Sequence, residues 1–215
     1  MPPSLADFEP LRLAIGAEAA AFQNLYWRHR DAYDLDAIDT RTYFQEMAGA
    51  SLSPEQVQRL AALDCQMWGR VNPVMVEWVR LLRPRGLKTA ILSNMSRCVS
   101  EYFRRTAEWV KLFDHLCFSA ELGMGKPGAA IYHACLKALN VPASQALFVD
   151  DREVNVGAAR ALGMNAILFR SVEDLQPHLE VYGLAESLAA ARQVAGTEVE
   201  SAPVPGGIQS PGQRR

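Results

Sequence analysis

Three short stretches of this chain carry residues suited to chemistry on an anion. The first is Asp150-Asp151, directly after the apolar run Leu147-Phe148-Val149. Two adjacent carboxylates at the mouth of a buried strand repel each other and are poorly solvated. A hard divalent cation relieves both problems, and Mg2+ takes one or two carboxylates together with water and substrate phosphate. The same pair would serve equally well as a cap for the helix that follows. The second stretch is Ser93-Asn94, which ends the run Lys88 to Leu92. A small hydroxyl and a backbone N–H at a strand-to-helix turn can hold a phosphate. Taken alone, Ser-Asn reads more simply as a helix cap. The third is Lys126, in Gly123-Met124-Gly125-Lys126-Pro127-Gly128. Glycines let the backbone turn tightly and let an ammonium approach an anion. This is no nucleotide P-loop, which needs four residues between its glycines and Ser or Thr after its Lys. On its own, a loop lysine is ordinarily a solvated one.

The elements that position these residues follow from periodicity. Residues 88–94, 115–119, 145–151 and 165–169 are short apolar runs, as expected of strands buried on both faces of a parallel sheet. The segments between them, 97–111, 129–139 and 153–162, are helical in pattern, with Gly163 as the residue past a helix end. Alternation of strand and helix predicts an α/β fold with a doubly wound parallel sheet, whose ligands bind at the carboxyl ends of the strands. Ahead of it, residues 1–75 read as helical. Ala14–Arg30 forms one helix with apolar spacing through Ala17, Ala20, Ala21 and Leu25. Asp39 or Thr40 starts a second, Ser53-Pro54 a third and Asn72-Pro73 a fourth that stops before Arg85-Gly86. The division is a helical region over 1–75, an α/β core over 76–192 and a disordered tail over 193–215, rich in Pro and Gly from Gly196 onward.

Composition removes several function classes. Lys and Arg total 22 against 24 Asp and Glu, a net charge of −2, which lacks the basic surface a broad nucleic-acid footprint requires. No apolar run approaches a membrane span, and the N-terminal residues lack the pattern of a signal peptide. Cys65, Cys98, Cys117 and Cys135 form no CxxC pair and read as reduced thiols in or near the core, which predicts a cytoplasmic protein. His29, His115, His133 and His178 have no metal spacing, and no GxSxG supports a Ser–His–Asp site. The assembly state stays open, a homodimer included.

Together, in order and spacing, the three signals resemble the haloacid dehalogenase (HAD) superfamily. Ala90-Ile91-Leu92-Ser93-Asn94 is similar to its second motif, Lys126-Pro127 to its third, and Phe148-Val149-Asp150-Asp151 to its fourth, with Asn155, Ala159 and Gly163 following. The resemblance covers roughly residues 10–182, with the helical region similar to the family's small helical cap. It implies a Mg2+-dependent phosphatase of a small phosphorylated metabolite, working through an aspartyl-phosphate. Ser93 and Asn94 would bind the phosphoryl group, Lys126 would neutralise charge, and Asp150 and Asp151 would hold Mg2+. Trp27, Arg28, Arg30 and Tyr33 of the cap could read the substrate, but read more simply as cap core and surface. The family's first motif, a central strand carrying a DxD nucleophile and general acid, has no counterpart here. Asp7 and Glu9 lack the preceding apolar run, and Pro10 suits a loop or helix start. The expectation is an incomplete N-terminus, or else a sheet closed by drawing its flanking strands together. The chain as written is expected to be inactive. A non-catalytic pseudo-phosphatase that binds or interacts, and a 2-haloacid dehalogenase, are the alternatives.

Overall fold

The computed structural model describes residues 3–201. The stretch read as one helix over 14–30 is three: α1 (Glu9–Ile15), α2 (Ala19–Arg28) and α3 (Arg30–Asp34). Gly16 ends α1 in the left-handed region, at φ 73°, where a residue without Cβ is unstrained. The apolar spacing persists across this break because both flanking helices face one core. That continuity made the sequence look like a single helix.

The remaining helices of this region begin where their caps predict. Asp39 accepts from Thr42 N (2.7 Å) at the start of α4 (Thr40–Ala48). Ser53 and Gln56 form a reciprocal capping box at α5 (Pro54–Trp68). Asn72 accepts from Val74 N (3.0 Å) and Met75 N (3.3 Å) at α6 (Pro73–Leu82). Phe8, Leu11, Phe22, Tyr26, Tyr43, Phe44 and Met47 close on one another in a single core. Each such side chain contributes roughly 1.5–3 kcal/mol on burial.

The α/β half holds four strands in parallel pairs. Strand β1 (Ala90–Ser93) pairs with β2 (His115–Phe118), Ala90 opposite His115 and Ser93 opposite Phe118. Between them runs α7 (Arg97–Thr106), and α8 (Ser119–Leu122) and α9 (Ala129–Leu139) follow β2. Strand β3 (Leu147–Asp150) pairs with β4 (Asn165–Leu168), Leu147 opposite Asn165 and Asp150 opposite Leu168, with α10 (Glu153–Ala161) between them. Helices α11 (Val172–His178) and α12 (Ala185–Ser201) complete the chain. Layers of helix cover both faces. Leu92 and Phe148 pack with Ile131 and Tyr132 of α9. On the opposite face Ile91 and Leu116 meet Val99 and Phe103 of α7, while Leu147 and Val149 meet Trp78 and Leu82 of α6.

The two pairs are separate two-stranded sheets, so β1 and β3 are not hydrogen-bonded to each other. Both rest on α9, yet the flanking strands are not drawn together. Every residue of β1 is only half-buried, unlike an interior strand of a covered parallel sheet. The tail also differs from expectation. Helix α12 runs through Gly196 to Ser201, and Leu188 and Ala191 are fully buried against α6 and α11. Trp78 Nε1 donates to Ser187 Oγ at 2.9 Å. The helix thus runs nine residues into the segment expected to be disordered, while these packing contacts lie before it. Residues 202–215 lie outside the described residues.

Candidate functional site

Strand β1 ends at Ser93, and the helix that follows is capped by Ser96, whose hydroxyl accepts from Val99 N at 3.4 Å. Ser93 and Asn94 are therefore not its cap. Ser93 Oγ donates to Asn94 O at 3.3 Å and is half-buried at the strand end. Asn94 is tied to the glycine-rich loop in both directions. Its Nδ2 donates to Lys126 O at 2.8 Å, and its Oδ1 accepts from Lys126 N at 2.7 Å. Gly125 permits this approach, since a Cβ there would stand 3.1 Å from Asn94 Oδ1 and 3.2 Å from Leu35.

That tie fixes the backbone from which the lysine reaches inward. Lys126 Nζ donates to Asp150 Oδ2 at 2.6 Å, with the two side chains only 10% and 6% exposed. Lys126 is thus no solvated loop residue. Its ammonium also lies 5.6 Å from the centroid of the Phe148 ring. Asp150 Oδ1 accepts from Arg152 N and from Asn155 Nδ2, both at 2.9 Å. The capping reading thus holds in part, because Asp150 takes a backbone N–H at the turn into α10. Tyr132, whose hydroxyl donates to Asn155 O at 2.9 Å, has its phenol pushed up to about 12 by burial and by the charge of Asp150. Asp151, next along, is exposed to solvent.

The structure thus brings Asn94, Lys126 and Asp150 together, with Ser93 beside Asn94 and Asp151 beside Asp150. Among the described residues no group of three or more His, Cys, Asp or Glu side chains converges on one point. Acceptors nevertheless outnumber donors here. Asn155 Oδ1 is buried with no hydrogen-bond partner, Asp151 is uncommitted, and three donors fill only part of Asp150's capacity of about four. An orphaned buried acceptor on the residue that holds Asp150 leaves an excess of acceptors there. A hard cation with one or two carboxylate ligands and otherwise water or phosphate fits that excess.

The helical region reaches this end of the sheet through residues 34–36. Ser119 Oγ donates to Asp34 O and accepts from Met95 N at 2.8 Å. Arg97 donates to Asp36 through Nε (2.8 Å) and Nη2 (2.6 Å). Of the cap residues weighed as substrate readers, Arg30 and Tyr33 are each 2% exposed and belong to the cap core, while Trp27 and Arg28 face solvent. Asp7 sits in a 3-10 turn, bonded to Ser4 and Arg70. The Ser4 hydrogen bonds, then Arg70, hold its carboxyl below the usual range. The sequence reading did not identify Asn155 as the residue holding Asp150, nor Gly125 and Ser119 as joints. Asn155 had one usable signal, an amide five positions after the strand-end carboxylate.

A family profile described as haloacid dehalogenase-like hydrolase matches residues 5–163. Among characterised proteins, a drimenol cyclase of Aspergillus calidoustus is 36% identical over 88 residues, 41% of this chain and 17% of that protein. A sesquiterpene phosphatase of Aspergillus oryzae is 35% identical over 108 residues, 49% of this chain and 55% of that protein. The chain spans between 10% and 27% of the length of the first four curated relatives it matches. Among solved structures, a HAD family enzyme of Bacteroides thetaiotaomicron, in complex with magnesium and inorganic phosphate, superposes with a TM-score of 0.59. It is 19% identical, and the match covers 75% of this chain and 86% of that one.

Proposed function

This chain belongs to the haloacid dehalogenase-like hydrolase family, and from that premise we propose that the Ser93–Lys126–Asp150 end of the sheet is the phosphate site of a Mg2+-dependent phosphatase. The substrate class is a small phosphorylated metabolite. The observation that carries this reading is the buried 2.6 Å pair of Lys126 and Asp150. A cation held at a fixed point by a carboxylate and a tethered backbone is preorganised to stabilise developing phosphoryl charge. Ser93 Oγ and the Asn94 backbone N–H offer phosphate oxygens neutral donors at the strand end. Asp151, the uncommitted carboxylate, and Asp150 would hold the metal. When bound, Mg2+ would supply positive charge to phosphate oxygens. The phosphatase and the Mg2+- and phosphate-bound enzyme among the relatives support this class of chemistry. The small helical cap, reaching the site at residues 34–36, favours a small substrate.

Of Asp7, Asp150 and Asp151, none serves as the nucleophile. Asp150 is committed to Lys126, Arg152 and Asn155, Asp151 serves the metal, and Asp7 is bound to Ser4 and Arg70. This chain on its own therefore binds phosphate without transferring it. Titration calorimetry with inorganic phosphate and Mg2+ should detect binding in the wild type. Lys126→Met should weaken it by about 10- to 100-fold, the value of a charge-assisted hydrogen bond. Assays with a generic phosphate ester and Mg2+ should give negligible turnover. Mg2+-dependent turnover lost in Asp150→Asn would show that the chain completes its own catalytic site. Absence of phosphate binding in the wild type would sink the phosphate-site reading.

A further inference from the structure

Away from that site, two thiols meet where the helical region packs on the α/β half. Cys65 belongs to α5 and Cys98 to α7, and their Sγ atoms are 3.7 Å apart. We propose that Cys65 and Cys98 are a redox modification site, which hydrogen peroxide closes to a reversible disulfide tying α5 to α7.

The two sulfurs are already in contact. A disulfide spans about 2.05 Å, so the sulfurs, now 3.7 Å apart, must approach by about 1.7 Å to bond. The two thiols also differ in access. Cys98 is half-buried and open to a small oxidant, whereas Cys65 is 3% exposed and shielded. One sulfur is therefore placed to be oxidised and the other to resolve it. Cys98 is the second residue of the ten-residue helix α7, where unpaired backbone N–H groups and the helix dipole favour a thiolate. Its neighbours act in both directions. The hydrogen bond from Cys65 and that from Tyr33 favour the thiolate, while burial, Asp64 and Glu101 oppose it. The balance brings the Cys98 thiol down to about 7. Cys117 and Cys135 also hydrogen-bond to each other, but at 1% and 8% exposed neither member faces solvent.

The chemistry balances in two steps. The Cys98 thiolate attacks one peroxide oxygen, the O–O bond breaks, and Cys98 becomes a sulfenic acid as hydroxide leaves and takes up the proton that Cys98 had released. Cys65 sulfur then attacks Cys98 sulfur. The S–O bond breaks, the Cys65 proton goes to the departing hydroxide, and a second water forms. Two thiols are oxidised by two electrons, and one peroxide is reduced to two waters.

Trypsin makes the test direct. Cys65 falls in the fragment 60–70 and Cys98 in 98–104, while Cys117 and Cys135 share the fragment 112–137 because Pro127 blocks cleavage after Lys126. The full chain, treated with one equivalent of hydrogen peroxide, should lose about 2 Da. It should yield a cross-linked pair of fragments 60–70 and 98–104, and dithiothreitol should reverse both changes. Iodoacetamide should modify Cys98 first, with a rate that rises through a midpoint near pH 7. In Cys65→Ser, peroxide should stop at a dimedone-reactive Cys98, heavier by about 16 Da. Two wild-type results would overturn the proposal and need no folded variant. One is a cross-link confined to fragment 112–137; the other is oxidation of Cys98 beyond sulfenic acid with Cys65 still free.

Discussion

The two halves of this chain each bury a charged pair, but they differ in how completely their backbone is paired. In the helical half a guanidinium is buried outright between two carboxylates. Arg30, 2% exposed, donates from Nε to Asp34 at 2.8 Å and from Nη1 to both Asp64 oxygens at 3.1 Å. Tyr26 donates to Asp64 at 2.7 Å, Trp68 donates to Tyr26, and the guanidinium lies over the Tyr26 and Trp68 rings. In the α/β half the strands keep a row of backbone groups without a ladder partner, because β1 and β3 stay unpaired with each other. Closure of a core therefore does not track the regularity of its elements. The irregular helical half is closed, and the regular strand half leaves the outer edges of two two-stranded sheets without a ladder partner among the described residues.

The comparison breaks most sharply at Arg30. Arg30→Met strands Asp34 and Asp64 in the core and should cost about 3–5 kcal/mol, read from the urea midpoint. Its pH dependence has a definite sign. Burial, partly offset by Arg30, already holds the Asp34 carboxyl above its usual range, and removing the guanidinium raises it further. An acid whose folded pKa exceeds its unfolded value favours folding when protonated. The variant should therefore lose stability as pH rises from about 4 towards neutrality. A flat profile would mean that the carboxylates reach solvent. Next in size, Asn155→Leu removes one donor from Asp150 in the strand half and should cost about 1–3 kcal/mol by the same measurement.

Hydrogen exchange sharpens the contrast between the halves. In β1 and β3, amides pointing away from the paired strand should exchange about tenfold or more faster than their neighbours, in alternation. Uniform protection would mean that those edges are covered in solution. The smallest effect belongs to the exposed Arg97–Asp36 pair that joins the halves. Arg97→Ala should cost no more than about 1 kcal/mol, and the effect should shrink further in high salt.

What could be read from the sequence was local. Each strand appeared as an apolar run, and the starts of α4, α5 and α6 as caps, because period and capping chemistry depend on neighbours within a few residues. Lys126 and Asp150 were found as separate signals whose residue types matched one task. The rest depended on distance through space. Asn94's grip on Lys126 spans 32 positions, and Cys65 and Cys98 are 33 apart. The split between α1 and α2 was hidden for another reason, since one glycine turned the chain without interrupting the apolar pattern. The run of α12 past residue 192 was not read, because the Pro- and Gly-rich composition from Gly196 onward favours disorder.

The paired hydrogen bonds between Asn94 and Lys126 have a further consequence, one of measurement. A carboxamide that gives and takes one hydrogen bond with the same residue copies the backbone ladder of a strand, but on an arm of fixed length. It acts as a gauge block between the end of β1 and the loop that carries the ammonium. Aspartate keeps the length and loses the donor, while glutamine keeps both groups and lengthens the arm by one methylene. Of these near neighbours, asparagine alone keeps both the spacing and the donor.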